Sequence, residues 1–470
     1  MLSNRAKLFI ENFIAYGAIN ALDKIVPLVM LPIVTRLLTD SADYGRFEMF
    51  NTIVGFGSAF AILGIYDAMF REYFEKDDEE YKSLVTSTAA KIVFFSACIV
   101  SLILVPFSKA VSVVFLNTSE NWHIVVMAAF GVFLSANRAI ISAPTRMKNQ
   151  RKVYIFSGIS YSAIYYAFAI LFIKLGMSYN GLIYGNLIAS LYMFIFFFYL
   201  NHRDFKLGLF SSIIAKELLK IGVPLVPCFV IYWAFNSMDK IMISHMLGLK
   251  EVGIYSIGAK VASVSTFIYA AFAGGWQYFA FSTMKDKDQV ELTSKIFEYL
   301  GILSFGAYEI AILLNHFVFY LFFSGEYIQG SIVFPYLFLS PLILMLFQTA
   351  GNQLLVIKKS IISTLCLTLG LFLNLLLNYL IIPIYGVKGA ALATLSGYCI
   401  SALSLSLIIQ KLKLLHIRFK FIILALIILI HTFIFFYKKN SMLLNSLFIF
   451  IFLAIFIFSY RKEISKSLKG

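Results

Sequence analysis

The sequence predicts an all-α polytopic membrane protein of about fourteen transmembrane helices: two six-helix lobes, related as parallel repeats, plus two additional C-terminal helices. Three observations carry this. The chain breaks into apolar stretches of roughly twenty residues or more, and a hydrocarbon core about 30 Å thick takes about 20 helical residues to cross. Its composition is 60% hydrophobic and 13% charged, and helices pair every backbone N–H and C=O within their own segment, as lipid requires. The punctuation of the chain also recurs at an offset of 208 residues.

The stretches are 9–38, 44–70, 83–105, 121–145, 153–173, 180–200, 221–247, 252–281, 296–323, 331–357, 360–384, 387–409, 421–437 and 442–460. Polar runs separate them, among them Asp40 to Asp43, Asn117 to Glu120 and Lys285 to Asp288. The first stretch is long and carries Asp23 and Lys24, so a retained span is expected there and not a signal peptide. No loop is long enough to fold as a domain, so chemistry belongs inside the helix bundle. Of the 39 Lys and Arg residues, 26 fall on one side of the membrane, 8 on the other and five deep in spans. The positive-inside rule puts the richer side, with both termini, in the cytoplasm. The net charge of +15 is thus mostly a topology signal, and no folded basic face exists for a nucleic acid. The acidic loop 71–82 reads as a solvated loop, since acids count little in the orientation rule.

The four cysteines all lie in apolar spans, with no disulfide framework. The six histidines are scattered, with no metal spacing and no cofactor motif. Gly45 and Gly253 open the second and eighth spans, and Gly181 and Gly389 the sixth and twelfth; each pair is 208 apart. Two halves that both start in the cytoplasm have one orientation. Parallel repeats follow, with a path between the lobes. The expected division is 1–207, 208–415 and an addition at 416–470. Pro27 and Pro32 in the first span, and Pro224 and Pro227 in the seventh, predict kinks where a rocking lobe would bend.

Four segments carry a family resemblance. They are LPIVTRLLTDSADYGRF at 31–47; Asp239 and Lys240 followed by VGIYSIGAK at 252–260; GWQYFA at 275–280; and NLLLNY at 374–379 running through Pro383 into YGVKGAALAT at 385–394. In order and spacing they resemble the O-antigen (Wzx-type) flippases of lipid-linked oligosaccharides, within the multidrug/oligosaccharidyl-lipid/polysaccharide exporter superfamily. Tyr278 stands where that family has proline. The resemblance implies a MATE-like V of two lobes and a cavity lined by spans one, two, seven and eight. It also implies an undecaprenyl-pyrophosphate-linked oligosaccharide as substrate, flipped across a bacterial inner membrane without enzyme chemistry. H⁺ or Na⁺ would be the coupling ion, and a polysaccharide polymerase a possible partner.

A polyprenyl tail can stay in lipid, but pyrophosphate and sugars need a wet, cationic route. A charge at mid-bilayer costs about 2.5–3.5 kcal/mol on insertion scales and faces a cavity or a partner. Lys24, Lys260, Arg138, Lys91 and Lys240 are therefore the expected substrate contacts, against the alternative of ion pairs holding helices together. Asp23, Asp67, Asp239 and Glu309 are the expected ion-coupling acids, since a carboxylate at such depth can carry a proton or bind Na⁺. Asp67 also has Arg71 four residues on, in the order that favours a local pair. Tyr16, Tyr66, Trp233, Trp276 and Tyr278 can stack on sugar rings or simply pack. Two other classes make different demands on the sequence. A membrane polymerase or transferase would carry a sizeable external loop with clustered acid, His or Arg residues, whereas 106–120 holds only Lys109 and Glu120. A cation-coupled multidrug exporter would have an acidic cavity.

Overall fold

The computed structural model describes residues 25–206, 208–269, 288–357, 359, 361–437 and 442–467. Among them the helices are α1 Ile25–Leu37, α2 Ser41–Ile62, α3 Ile65–Tyr73, α4 Glu79–Leu104, α5 Ser108–Leu116, α6 Trp122–Met147, α7 Arg151–Phe172 and α8 Tyr179–Leu200. There follow α9 Ser212–Gly222, α10 Val226–Met246, α11 Leu249–Ala262, α12 Gln289–Phe322, α13 Phe334–Val356, α14 Ile361–Lys411, α15 Phe419–Tyr437 and α16 Met442–Ser467. Eleven candidate spans are long and apolar enough to cross a membrane, or twelve with the bent pair α2/α3 counted as one. α14 has 51 residues, about 76 Å at 1.5 Å per residue, and is two spans joined at Gly386. α1 is the described part of the first stretch. Each of the fourteen expected stretches therefore has its helix.

The chain divides into two compact units. One comprises Met1–Ser256 with Ser324–Tyr327, and the other Ile257–Phe323 with Ile328–Gly470, so the division falls inside α11. In the first unit α2, α4 and α6 bury a core of Ala61, Val85, Ala89, Val93, Ala97, Val132 and Ala136. Local signals start the helices: Asp40 caps α2 by accepting from the Ala42 N–H, and Asp78 caps α4 by accepting from Glu80 and Tyr81. Ser211 caps α9, which buries Ile214, Ala215 and Leu218 and leaves Lys216, Glu217 and Lys220 outward. Within the acidic loop, Lys82 lies 2.6 Å from the Asp77 carboxyl and holds it below its usual range.

Three local features depart from the sequence reading. The stretch 44–70 bends by 45° between α2 and α3. Leu63 and Gly64 adopt left-handed backbone (φ 52° and 68°), and Gly64 packs against the Gly222 backbone, where a Cβ would lie 2.3 Å from the carbonyl oxygen. The loop 106–120 contains α5, because Ser112, Phe115 and Leu116 are buried; His245 of α10 bonds the Val114 carbonyl at 2.7 Å. Pro224 does interrupt the seventh span, as a 3₁₀ turn over Val223–Leu225, whereas α1 remains helical through Pro32.

The 208-residue repeat has a physical form. Ser178 (φ 46°, ψ −133°) and Gly386 (φ 60°, ψ −145°) are 208 apart and share one backbone conformation at the turns after the fifth and eleventh spans. Within the first unit α2 and α11 cross backbone to backbone. A Cβ on Gly45 would stand 2.0 Å from the Leu249 carbonyl oxygen, and one on Gly253 1.9 Å from the Ser41 carbonyl oxygen. Ser41 and Leu249 are also 208 apart, so the crossing is its own image under the repeat. Close approach through small residues is how helices associate where lipid supplies no hydrophobic drive. Gly45→Ala and Gly253→Ala are each expected to lower stability by about 1–3 kcal/mol through overpacking. Gly208→Ala, where nothing lies within 4 Å of the added carbon, should be neutral. Thermal unfolding of the detergent-purified variants checks both.

Candidate functional site

A charged side chain in a span must find a partner or water. α6 carries the main cationic line of the first unit. Arg138, half-buried, lies over the ring of Tyr161 on α7 at 5.2 Å, and Asn186 of α8 donates to that Tyr161 hydroxyl at 3.3 Å. Eight residues on, about 12 Å along the helix, Arg146 donates to the Tyr66 hydroxyl on α3 at 2.7 Å. Its guanidinium lies 6.0 Å from the Tyr66 ring and 5.7 Å from the Tyr154 ring. Two guanidinium groups thus alternate with three tyrosine faces. An Arg plane offers forked donors to an anion, and tyrosine offers an apolar face with a polar edge. The line can hold an anionic group with a ring-bearing moiety attached.

The remaining sequence-predicted residues of this unit have other partners. Lys91 lies 5.9 Å from the Phe210 ring. Lys240 on α10 makes an ion pair with Glu48 on α2 at 2.8 Å, with Tyr44 beside the carboxylate. Glu48 was missed, although an acid four residues into an apolar stretch was there to be seen. Asp239 does not pair with its neighbour Lys240: it is buried and accepts from the Tyr255 hydroxyl at 2.6 Å. Trp233 donates to the Thr52 carbonyl at 3.2 Å and packs against Phe56 and Phe115, so its ring is engaged within the protein. Asp67 is exposed and makes no ion pair with Arg71 among the described residues. Its neighbour Tyr66 is the aromatic that meets a cation.

At the start of α2, Asp43 bonds Arg46 at 2.7 Å and also Ser178. Arg46 lies over Tyr179 at 5.3 Å, and Tyr179 bonds His123 at 2.9 Å. Glu326 accepts from Ser41 at 2.9 Å and pairs with Lys250, which together hold its carboxyl below the usual range.

In the second unit Lys260 is half-buried near the end of α11, where the Ser263, Ser265 and Thr266 hydroxyls turn back onto carbonyls three residues earlier. Glu309 on α12 is buried and bonds His431 Nδ1 on α15 at 2.9 Å; His431 Nε2 faces Asn445 Oδ1 on α16 at 3.3 Å. A second buried acid of α12, Glu298, pairs with Arg418 and accepts from the Tyr460 hydroxyl. Neither His431 nor Glu298 was foreseen. Lys24, Asp23, Tyr16, Trp276 and Tyr278 lie outside the described residues.

Breaking a buried ion pair costs about 3–5 kcal/mol because it strands the other charge. Glu48→Gln and Lys240→Met should each destabilise by about that amount. The double variant Glu48→Gln/Lys240→Met should recover most of the loss, as read by unfolding in detergent.

The family described as polysaccharide biosynthesis protein matches residues 33–329. An uncharacterized membrane protein of Methanocaldococcus jannaschii is 26% identical over 200 residues, covering 41% of this chain. The chain spans only 39% of that relative's length. The fold is similar to that of the lipid II flippase MurJ in an inward closed conformation, at 16% identity and a TM-score of 0.71, over 96% of this chain and 100% of the other. It is also similar to that of an inward-facing multidrug resistance MATE family transporter of the MOP superfamily, at 14% identity and a TM-score of 0.64, over 84% and 94%.

Proposed function

The chain belongs to the polysaccharide biosynthesis protein family, and on that premise we propose that it is a flippase for an undecaprenyl-pyrophosphate-linked oligosaccharide. It carries this lipid from the cytoplasmic to the periplasmic leaflet of an inner membrane by alternating access, with both termini cytoplasmic. The observation that carries the reading is the fold shared along 96% of the chain with a protein described as a lipid II flippase. Family and fold together favour movement of a lipid-linked saccharide over chemistry on it.

The residues divide the task by chemistry. Arg138 and Arg146 meet the pyrophosphate on the cytoplasmic half of the first unit, and Tyr66, Tyr154 and Tyr161 offer faces to the sugars. Lys24, Lys260 and Lys91 are the further cations we assign to the substrate. Lys240 joins it only by leaving Glu48, which makes that pair a charge exchanged against substrate. Asp23, Asp67, Asp239 and Glu309 are the acids through which H⁺ or Na⁺ couples to the movement. A polysaccharide polymerase takes the delivered unit.

Complementation of a flippase-deficient strain tests this. The wild-type chain should restore surface glycan. A hydrogen bond to a charged group is worth about 1.5–3 kcal/mol, so Arg138→Ala and Lys24→Ala should each lower transport by about ten- to a hundredfold at normal membrane abundance. Arg138→Lys should retain more than Arg138→Ala. Full glycan display by both alanine variants would remove these cations from the mechanism.

A further inference from the structure

α12 presents two buried acids to the C-terminal helices, Glu298 and Glu309, eleven residues and so about three turns apart on one face. Both anchor α15. Their partners differ in one chemical respect. Glu298 is met by Arg418, a cation at every accessible pH, with Tyr460 donating to its other oxygen. Glu309 is met by His431, the one side chain whose ordinary pKa lies near neutrality. The side chains of Glu309 and His431 are 1% and 0% exposed, and Glu309 Oε2 is buried without a hydrogen-bond partner.

The hydrogen bonds count the protons. His431 Nε2 faces the Asn445 carbonyl oxygen, so it carries a hydrogen. One more proton then lies between Nδ1 and Glu309 Oε1, on either atom, and leaves the group neutral overall. Remove it, and an imidazole lone pair faces a carboxylate in hydrocarbon, with Oε2 unsatisfied as well. That state carries a bare buried charge and is disfavoured until water reaches it. Phe448 lies flat on the imidazole at 4.4 Å and shields it. The other titratable groups nearby are neutral: Tyr308 on α12, bonded to Thr432 of α15, then Tyr336 on α13 and Cys399 on α14. Among the described residues Glu309 has no ion-pair partner other than His431.

From this geometry we infer that Glu309, His431 and Asn445 form a binding site for a single proton, joining α12 to the two C-terminal helices. Glu298 and Arg418 are the permanent anchor, and Glu309 and His431 the one that can be unloaded. His431 lies six residues before the end of α15, about 9 Å, and Asn445 three residues into α16, about 5 Å. The site therefore lies within about two turns of the last residue of α15 and of the first residue of α16. In the orientation proposed above, the proton enters from and returns to the outer face. Loading closes the joint between the helices and unloading admits water to it. This goes beyond the general ion-coupling role proposed for Glu309 by naming the ion, its acceptor atoms and the helices it ties; only the transport arm of the test rests on the flippase reading.

The site is read directly by nitrogen NMR of the full-length chain in liposomes, with ¹⁵N-labelled histidine, between about pH 6 and about pH 9. Loss of one signal in His431→Gln assigns it. The wild type should hold a proton at Nδ1, or shared with Glu309, and release it in one step. In Glu309→Gln that step should vanish and His431 should be neutral throughout, while Glu298→Gln should leave the His431 signal unchanged. An unprotonated Nδ1 throughout, or the same titration in wild type and Glu309→Gln, would overturn the inference. In complementing cells, the dependence of glycan display on external pH should flatten in Glu309→Gln and persist in Glu298→Gln. Failure of the wild type to display glycan counts against the flippase reading, and the NMR result still decides the proton site.

Discussion

A bilayer interior offers no water to a charge, and the structure answers with dedicated partners. Glu48 is held by Lys240, Glu298 by Arg418 and Glu309 by His431. Each pair joins segments that lie far apart in sequence. In such a medium the attraction within a pair barely repays the loss of hydration, but removing one member strands the other. Such contacts therefore specify which helix meets which more than they add net stability. α10 is held against α2 where Lys240 meets Glu48. The two C-terminal helices belong against α12 because it carries two acids on one face. The Arg138 and Arg146 line differs in kind, since its partners are tyrosines. A guanidinium over a ring keeps donors to spare, and a site for a transient anion needs that.

Backbone proximity is the second constraint. Where α2 crosses α11, side chains are absent on both sides, and the positions that meet are images of each other under the repeat. Symmetry makes one requirement serve twice: whatever keeps Gly at 45 keeps it at 253. The turns at Ser178 and Gly386 show the same economy with different residues. Ser178 occupies a backbone conformation that suits glycine, and its hydroxyl is fastened to Asp43.

Hydropathy and punctuation made the helices, their number and the doubling legible, because lipid punishes any polar break. Partners were less legible. Lys240 stood out as a deep cation, but Glu48 lies 192 residues away and nothing local links them. Asp239 and Lys240 are adjacent yet point to different neighbours, since successive helical residues diverge by about 100°. Asp67 and Arg71 have the spacing of a pair and do not form one. Tyr66 was named for its ring alone, and its usefulness comes from Arg146, eighty residues on. His431 was hidden by its setting in a run of apolar residues, and only packing places it on Glu309. Helical periodicity gives the face a residue lies on, whereas long-range pairing needs the tertiary arrangement.

The central claim, that this chain moves a lipid-linked saccharide, is tested most directly by reconstitution. Purified protein would be placed in liposomes with undecaprenyl-pyrophosphate-linked saccharide, and exposure of the sugar to a membrane-impermeant glycosidase followed over time. The account predicts protein-dependent exchange of the saccharide between leaflets, strongly slowed by Arg138→Ala. Exchange no faster than in protein-free liposomes, from protein that instead transports a cationic dye, would contradict it.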